Sequence, residues 1–316
     1  MSVDTRPDHL LSESSALFMI ILSVIFWACA FPLIKVGLTE LTPENLAILR
    51  LFLATVIFLV AYVVRPKMFS PLHKKDIPVL FLLGFTGISV YHLGLNYGEQ
   101  FVSAGAASLI IATIPIYVVI LAVVFLKEHI SLRTGIGVLI SLVGVVIISL
   151  WGNPGNNIEI NYILGALAVV LAAFVGAVYT IAGKKLLQRY NGFSLTAYAF
   201  LFGNLGLLAF LRGPLIDQVG SLSMEVWAAV IFLACFPTVI AYSLWYMVLH
   251  VKTASELSVF LYITPVLSTL ICTVFFNEKI TIFYIVGGFL VIGGLYIVNR
   301  KKGKRKYAHS LRVDQG

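Results

Sequence analysis

Uninterrupted apolar runs of about twenty residues recur along nearly the whole chain. A run of that length crosses a ~30 Å hydrocarbon core as a helix. Inside hydrocarbon the backbone must bond to itself, which leaves helices or closed barrels. The period-two alternation of a membrane barrel is absent. The runs predict spans at 16–36, 43–64, 77–97, 104–126, 132–151, 162–183, 193–212, 225–249, 254–276 and 281–299. Only 11% of the 316 residues are charged and 60% are hydrophobic. Soluble domains average about a quarter charged, so these residues cannot cover an ordinary water-facing surface. The expected fold class is an all-α integral membrane protein of ten transmembrane helices, with short connections and no soluble domain. The first span is too long for a cleaved signal peptide, and neither a basic n-region nor a small-residue cleavage site accompanies it.

Charge then orients the chain. With both termini inside, the inner set comprises Arg6, Arg65, Lys67, Lys74, Lys75, Lys127, Arg133, Lys184, Lys185, Arg189, Lys252 and seven residues of the tail, 18 of the 22 basic residues. Lys35, Arg50, Arg212 and Lys279 lie toward the outer side. This bias predicts cytoplasmic termini. The net charge of +8 lies in loops and in the tail from Arg300 to Lys306, a position suited to anionic headgroups. Nucleic acid is therefore not an expected partner; the lipid bilayer is. Short polar loops and the lack of a glycosylation sequon suit a prokaryotic inner (cell) membrane. Cys29, Cys235 and Cys272 fall singly inside spans. They read as small apolar residues, with no disulfide or metal site implied.

The chain also repeats itself. Under a shift of 150 residues, Ala104 meets Ala254, Ser108 meets Ser258, Pro115 meets Pro265 and Glu128 meets Glu278. Gly137 likewise meets Gly287, and Gly144 meets Gly294. With a shift one residue shorter, Tyr97 meets Tyr246 and Lys35 meets Lys184. The chain divides into a tail at 1–15, a first five-helix repeat at 16–151, a second at 152–299 and a basic tail at 300–316. An odd helix count inverts the second copy, an arrangement common in secondary transporters.

These features together resemble the drug/metabolite transporter superfamily, specifically its EamA-type permeases. The residues carrying the likeness are Phe26-Trp27-Ala28 through Lys35, Pro43 with Ala47-Ile48-Leu49-Arg50, and Leu95-Asn96-Tyr97. They continue with Ala104 to Leu109, Pro115, Glu128 and Gly137, and in the second half with Leu244-Trp245-Tyr246, Ala254, Pro265, Glu278 and Gly287. The resemblance implies ten helices, a central cavity lined mainly by helices 1, 3, 4, 6, 8 and 9, and transport of metabolites. Small multidrug exporters of the superfamily carry a glutamate in their first helix for proton coupling. Here Ile25, Phe26 and Trp27 occupy that depth. Facilitated diffusion, exchange and coupling through His92 stand as alternatives.

Several residues could contact a solute. Pro115 and Pro265 break backbone bonds at matching depths and are candidate hinges beside a cavity; Pro32 and Pro237 interrupt two further helices. Trp27, Tyr91, Tyr97, Tyr179, Tyr242, Trp245 and Tyr246 form an aromatic set on the expected lining helices. Trp27 and Tyr242 lie deepest, where a polar tip needs a partner or a wet pocket. Trp151 and Tyr162 read as interfacial anchors. His92 and Asn96 share a helix face; His92 is either satisfied by Asn96 or a tyrosine, or acts as a solute contact or proton switch. Arg50 either snorkels outward or pairs with an acid such as Glu99. Lys35 is similarly placed. Glu128 and Glu278 read as accepting bonds from the next helix start. Glycines 137, 144, 287 and 294 and the Ala104, Ser108, Ala112 face permit close helix contact and could support a homodimer.

No HExxH, GxSxG, phosphate loop or dinucleotide fingerprint is present, so the chain is not expected to be an enzyme, to use a cofactor or to hold a metal. Intramembrane enzymes can lack such motifs, which keeps that class as an alternative. An aromatic-lined cavity suits amphipathic, planar or cationic solutes and grips a bare phosphate poorly; efflux of an amino acid-like or amphipathic metabolite is the preferred reading. A nucleotide-sugar or organophosphate exchanger would need basic cavity residues from several helices.

Overall fold

In the computed structural model, residues 11–127, 131–151, 160–207, 215–276 and 282–299 are described. Glu128, Glu278, Arg6, Arg212, Lys279, the 152–157 loop and the basic tail lie outside the described residues, as do the side chains of Trp151 and Tyr162. All regular secondary structure among the described residues is helical, without strands. In chain order the main helices are α1 (Glu13–Gly37), α2 (Pro43–Val64), α3 (Lys74–Phe101), α4 (Ala104–Leu126) and α5 (Leu132–Trp151). They continue as α6 (Ile160–Leu186), α7 (Gly192–Leu207), α8 (Met224–Val251), α9 (Ala254–Phe275) and α10 (Ile282–Asn299). A short unnumbered helix, Leu215–Ser221, precedes α8.

By length and hydropathy, seven of these can cross a membrane: α1, α2, α3, α4, α6, α8 and α9. In α5, α7 and α10 the described apolar stretches are shorter, at 132–144, 192–207 and 285–294. The predicted span at 193–212 is the clearest departure, because α7 is described only to Leu207. Large apolar side chains point outward on nearly every helix, among them Phe18, Val63, Leu82, Val124, Leu139, Val274 and Phe289. Such a surface belongs in lipid rather than water, and the chain is a multi-pass membrane protein.

Local chemistry sets the helix starts. A hydroxyl or amide oxygen satisfies an orphan N–H of the first turn at each of several starts. Thr42 does so for α2, Ser103 for α4, Asn191 for α7, Ser223 for α8 and Thr253 for α9. Four of these caps form two pairs of repeat mates: Ser103 and Thr253 under the 150 shift, Thr42 and Asn191 under 149. Helix C-termini are matched as well. The Lys35 ammonium donates to the Glu99 carbonyl near the end of α3. Its repeat mate Lys184 donates to the carbonyls of Leu249 (2.5 Å), His250 (3.1 Å) and Lys252 (2.8 Å) where α8 ends. A cation there also complements the helix dipole.

Packing follows the repeat. α1 packs mainly on α8 and α9 of the second half, and α6 on α3 and α4 of the first. α2 meets α7, α4 meets α9 and α5 meets α10, each helix pairing with its own mate. In the last pair the small-residue faces are used within the chain. The Ser141 hydroxyl donates to the Val291 carbonyl at 3.2 Å. A Cβ on Gly144 would fall 2.5 Å from the Gly287 carbonyl oxygen, and one on Gly294 2.5 Å from that of Gly137. At the end of the bundle carrying Arg65 and Lys75, the 65–76 connection is strapped to the start of α7. Asp76 pairs with Arg189 (2.6 Å) and accepts from the Tyr190 hydroxyl (2.9 Å). Ser70 N–H donates to Ser194 (2.7 Å), and the Tyr198 hydroxyl to the Ser70 carbonyl (2.6 Å).

Neighbouring glycines of α10 therefore differ. Gly294→Ala is expected to lower unfolding stability by about 1–3 kcal/mol, the usual cost of overpacking. Gly293, which has nothing within 4 Å of an added Cβ, should tolerate alanine or gain up to about 1 kcal/mol from helix propensity. Denaturant or thermal unfolding of the two variants in detergent checks the contrast.

Candidate functional site

The bundle centre is where the helices lose regularity. Pro237 has no N–H, so the Leu233 carbonyl in α8 lacks its normal helical donor. The helix widens to a π segment over Ala234–Ile240. The Thr238 hydroxyl replaces the missing donor, at 2.7 Å from the Leu233 oxygen. Thr238 Oγ1 in turn accepts from Arg50 Nε of α2 at 2.8 Å. One turn away, the Trp27 indole N–H of α1 donates to the Pro237 carbonyl at 3.0 Å. In α3 a second π segment, Phe85–Val90, occupies the equivalent place, with Gly87 opposite Pro237 under the 150 shift. The other mate pair is broken too. α4 turns at 112–113 before Pro115, and α9 tightens to a 3₁₀ turn at Val259–Tyr262 before Pro265.

Between these segments lies a cavity of ≈ 70 Å³, measured as the space open to the centre of a water-sized sphere. That is room for on the order of five waters, or a small solute. α1 contributes Trp27, Ala30 and Phe31; α2 contributes Arg50; α3 contributes Gly87, Tyr91, His92 and Leu95. α4 gives Ile111 and Ile114, α6 gives Gly176, Tyr179 and Thr180, α8 gives Tyr242 and Trp245, and α9 gives Leu261 and Thr264. Tyr242 is the hub of the aromatic wall. Its ring lies 5.4 Å from Trp27, 6.0 Å from Tyr179, 5.2 Å from Phe200 and 6.4 Å from His92. Trp27 and Trp245 meet at 4.9 Å. These tilted and edge-on contacts hold the rings and leave faces open.

The polar groups of the wall are incompletely paired. Arg50 is 2% exposed, and its Nη1 has no partner. Both ring nitrogens of His92, the Tyr179 hydroxyl and the Thr264 hydroxyl also lack partners, each in a residue at most 4% exposed. Buried polar atoms left in this state are uncommon. No carboxylate lines the cavity.

Of the residues singled out in the sequence, Trp27, Tyr91, His92, Tyr179, Tyr242 and Trp245 meet at this cavity. Asn96 does not line it; its amide donates to the Pro43 carbonyl at 3.1 Å and braces the start of α2. Tyr246 stands behind the wall, donating to the Tyr179 carbonyl at 2.9 Å. Tyr97 faces outward against Phe101. Pro115 and Pro265 sit next to lining residues rather than on the wall itself.

Three expectations change. Arg50 does not snorkel, and Thr238 rather than Glu99 takes its Nε–H; buried Glu99 attracts the guanidinium from a distance without a direct contact. His92 is not satisfied by Asn96 or a tyrosine, because Asn96 is engaged elsewhere. The Tyr97–Tyr246 match is coincidental. α3 ends at Phe101 and α8 at Val251, so the 150 shift continues through this pair. It joins buried Asn96 to buried Tyr246, and outward Tyr97 to outward Met247.

Under that register the missed lining residues become visible as mates. His92 pairs with Tyr242, Leu95 with Trp245, Ile111 with Leu261 and Ile114 with Thr264. Under 149, Trp27 pairs with Gly176, Ala30 with Tyr179 and Phe31 with Thr180. Adding the repeat shift to the chosen aromatics would have found Gly176, Ala30 and Leu95; the pairs Phe31–Thr180, Ile111–Leu261 and Ile114–Thr264 contain no chosen residue. Arg50 has alanine as its mate, Ala199, so symmetry gives no signal for it.

A sequence model described as the EamA-like transporter family matches residues 14–150 and again 163–300. An uncharacterised transporter of Archaeoglobus fulgidus is 37% identical over 89% of this chain and 97% of its own length. The uncharacterised transporter YdfC of Bacillus subtilis is 34% identical over 90% of each chain. A protein of Streptantibioticus cattleyicolor named as a probable terminal-alkyne amino-acid exporter is 33% identical over 93% of this chain and 97% of its own. A solved crystal structure at 21% identity superimposes with a TM-score of 0.72 and covers 91% of this chain and 97% of that one. That likeness shows the fold.

The two tyrosines once matched should respond oppositely to loss of a hydroxyl. Tyr246→Phe removes a buried hydrogen bond and should cost about 0.5–1.5 kcal/mol. Tyr97→Phe should leave unfolding unchanged in the same detergent assay.

Proposed function

The chain belongs to the EamA-like transporter family, and from that premise we propose that it is a secondary carrier exporting a small amino acid-like or amphipathic metabolite. The observation that carries this reading is the aromatic cavity at the junction of the two repeats, with interrupted helices in its walls. Discontinuous helices around a central site recur in secondary transporters. In this reading the chain crosses the bilayer ten times as two inverted five-helix repeats at 16–151 and 152–299, flanked by tails. Both termini face the cytoplasm of a prokaryotic cell, and the two similar halves exchange roles in opening the cavity to either side.

The relative named as an amino-acid exporter supports the solute class and the direction. A nucleotide-sugar or organophosphate exchanger is the weaker reading, because Arg50 is the one basic side chain in the cavity wall apart from His92. Family and relatives point to transport rather than enzymology. Pro115 and Pro265 serve as hinges for α4 and α9, next to the lining residues Ile114 and Thr264.

Uptake and counterflow in proteoliposomes, with a pool of amino acids, their derivatives and phosphorylated sugars, tests the proposal. Protein-dependent flux of an amino acid-like solute is expected. Trp27→Ala and Tyr242→Ala should each reduce it by about tenfold or more at equal abundance, the equivalent of ~1.4 kcal/mol of lost solute contact. Pro115→Ala should slow exchange while leaving abundance normal. No flux of any pooled solute by folded protein would overturn the carrier reading.

A further inference from the structure

Arg50 is the cavity residue that nothing above explains. A guanidinium stays charged in any protein environment, and burying it without a counter-ion is costly unless something pairs with it. Here it is 2% exposed and held by one hydrogen bond to a neutral hydroxyl, with Nη1 unpartnered; the buried Glu99 carboxylate, which does not line the cavity, attracts it from a distance without contacting it. Thr238 is itself fixed by its bond to the Leu233 carbonyl. The guanidinium is therefore aimed rather than loose. His92, Tyr179 and Thr264 add unpartnered polar atoms from three other helices around the same space.

We propose that Arg50 is the carboxylate anchor of the cavity and that the carried solute is a small organic monoanion or zwitterion whose carboxylate pairs with it. The proposal rests on the carrier reading and names the group on the solute that the site recognises. A planar guanidinium matches a carboxylate with two parallel hydrogen bonds. The Tyr179 and Thr264 hydroxyls and one His92 ring N–H supply further donors. A phosphate ester would bring a second negative charge with no second fixed cation to meet it, and the wall has none. The body of the solute lies against Trp27, Tyr242 and Trp245, whose ring faces accept aliphatic or aromatic groups. An ammonium, where the solute has one, finds no carboxylate in the wall and rests on ring faces. The amino group is thus tolerated, and the carboxylate is the group selected.

The test compares matched pairs that differ only in charge. Binding of 4-methylpentanoate, 3-phenylpropanoate and leucine, each beside its amide, and of phosphate, is measured by calorimetry on the full wild-type chain in detergent. At least one carboxylate should bind at least about tenfold more tightly than its amide, as expected where a site is built to pair with a missing group. Phosphate should not compete. Arg50→Gln should erase the carboxylate preference, and Thr238→Val, which keeps the guanidinium but frees it, should weaken carboxylate binding with less effect on the amides. Equal affinity of acids and amides, no binding of any acid, or unchanged acid binding by a monodisperse, helical Arg50→Gln protein would each overturn the proposal. The wild-type comparison decides it even where the variant does not fold. Flux of the same compounds in proteoliposomes separates the two readings: flux without charge preference removes the anchor and keeps the carrier. Charge-selective binding without flux keeps the anchor and removes the carrier.

Discussion

In hydrocarbon, every backbone polar group must find its partner inside the protein, and the architecture of this chain turns on how that demand is met where helices are interrupted. Pro237 leaves the Leu233 carbonyl of α8 without its usual donor, which the Thr238 hydroxyl supplies, and the neighbouring Pro237 carbonyl accepts from the Trp27 indole of α1. Those bonds place two side chains and then a third, because Arg50 binds the hydroxyl that repairs the break. The chemistry of the cavity wall is therefore a by-product of helix repair. The same logic accounts for the Lys35 and Lys184 caps, which close the ends of α3 and α8 with one type of side chain at mate positions.

Symmetry then builds the walls, and departures from symmetry give the cavity its chemistry. Seven pairs of mate positions line the space, so the two halves supply similar depth and spacing. At those positions the residues differ: Trp27 faces its mate position as Gly176, His92 as Tyr242, and Leu95 as Trp245. At Trp27–Gly176 and Tyr179–Ala30, bulk on one side is met by a small residue on the other. Arg50, with Ala199 as its mate, puts one fixed positive charge into an otherwise twofold-related shell.

Much of the fold could be read from the sequence because its signals are local or periodic. The apolar runs and the duplicated Pro, Ser and Gly positions require no knowledge of which helix touches which. The site was legible only in part, for physical reasons. Trp27 and Tyr242 stood out by depth and by their need for a polar partner. Arg50 did not, because its distance from the helix start suggested an outward reach, whereas the cover that buries it comes from α8, far away in sequence. His92 was given a partner one turn along its own helix, yet Asn96 bonds instead to the backbone of α2. The Tyr97–Tyr246 match misled because two tyrosines are an identity and Asn96–Tyr246 is not, while burial follows position rather than identity.

The packing pattern shows that the sequence halves are not the structural units of the bundle. α1 leaves the first half to pack on α8 and α9, and α6 leaves the second to pack on α3 and α4. The cavity lies where these exchanged helices meet, and its wall draws on both groups. The α5–α10 pair lies apart from this exchange and is held by backbone-close contacts at Gly144 and Gly294 rather than by large side chains. Between lipid-exposed helices there is no hydrophobic gain from association, so close packing of small residues must supply the attraction. Glycines at mate positions, with Ser141 between Gly137 and Gly144, let that seam form without bulk. The large aromatic side chains, which need polar partners, collect instead around the interrupted helices where such partners exist.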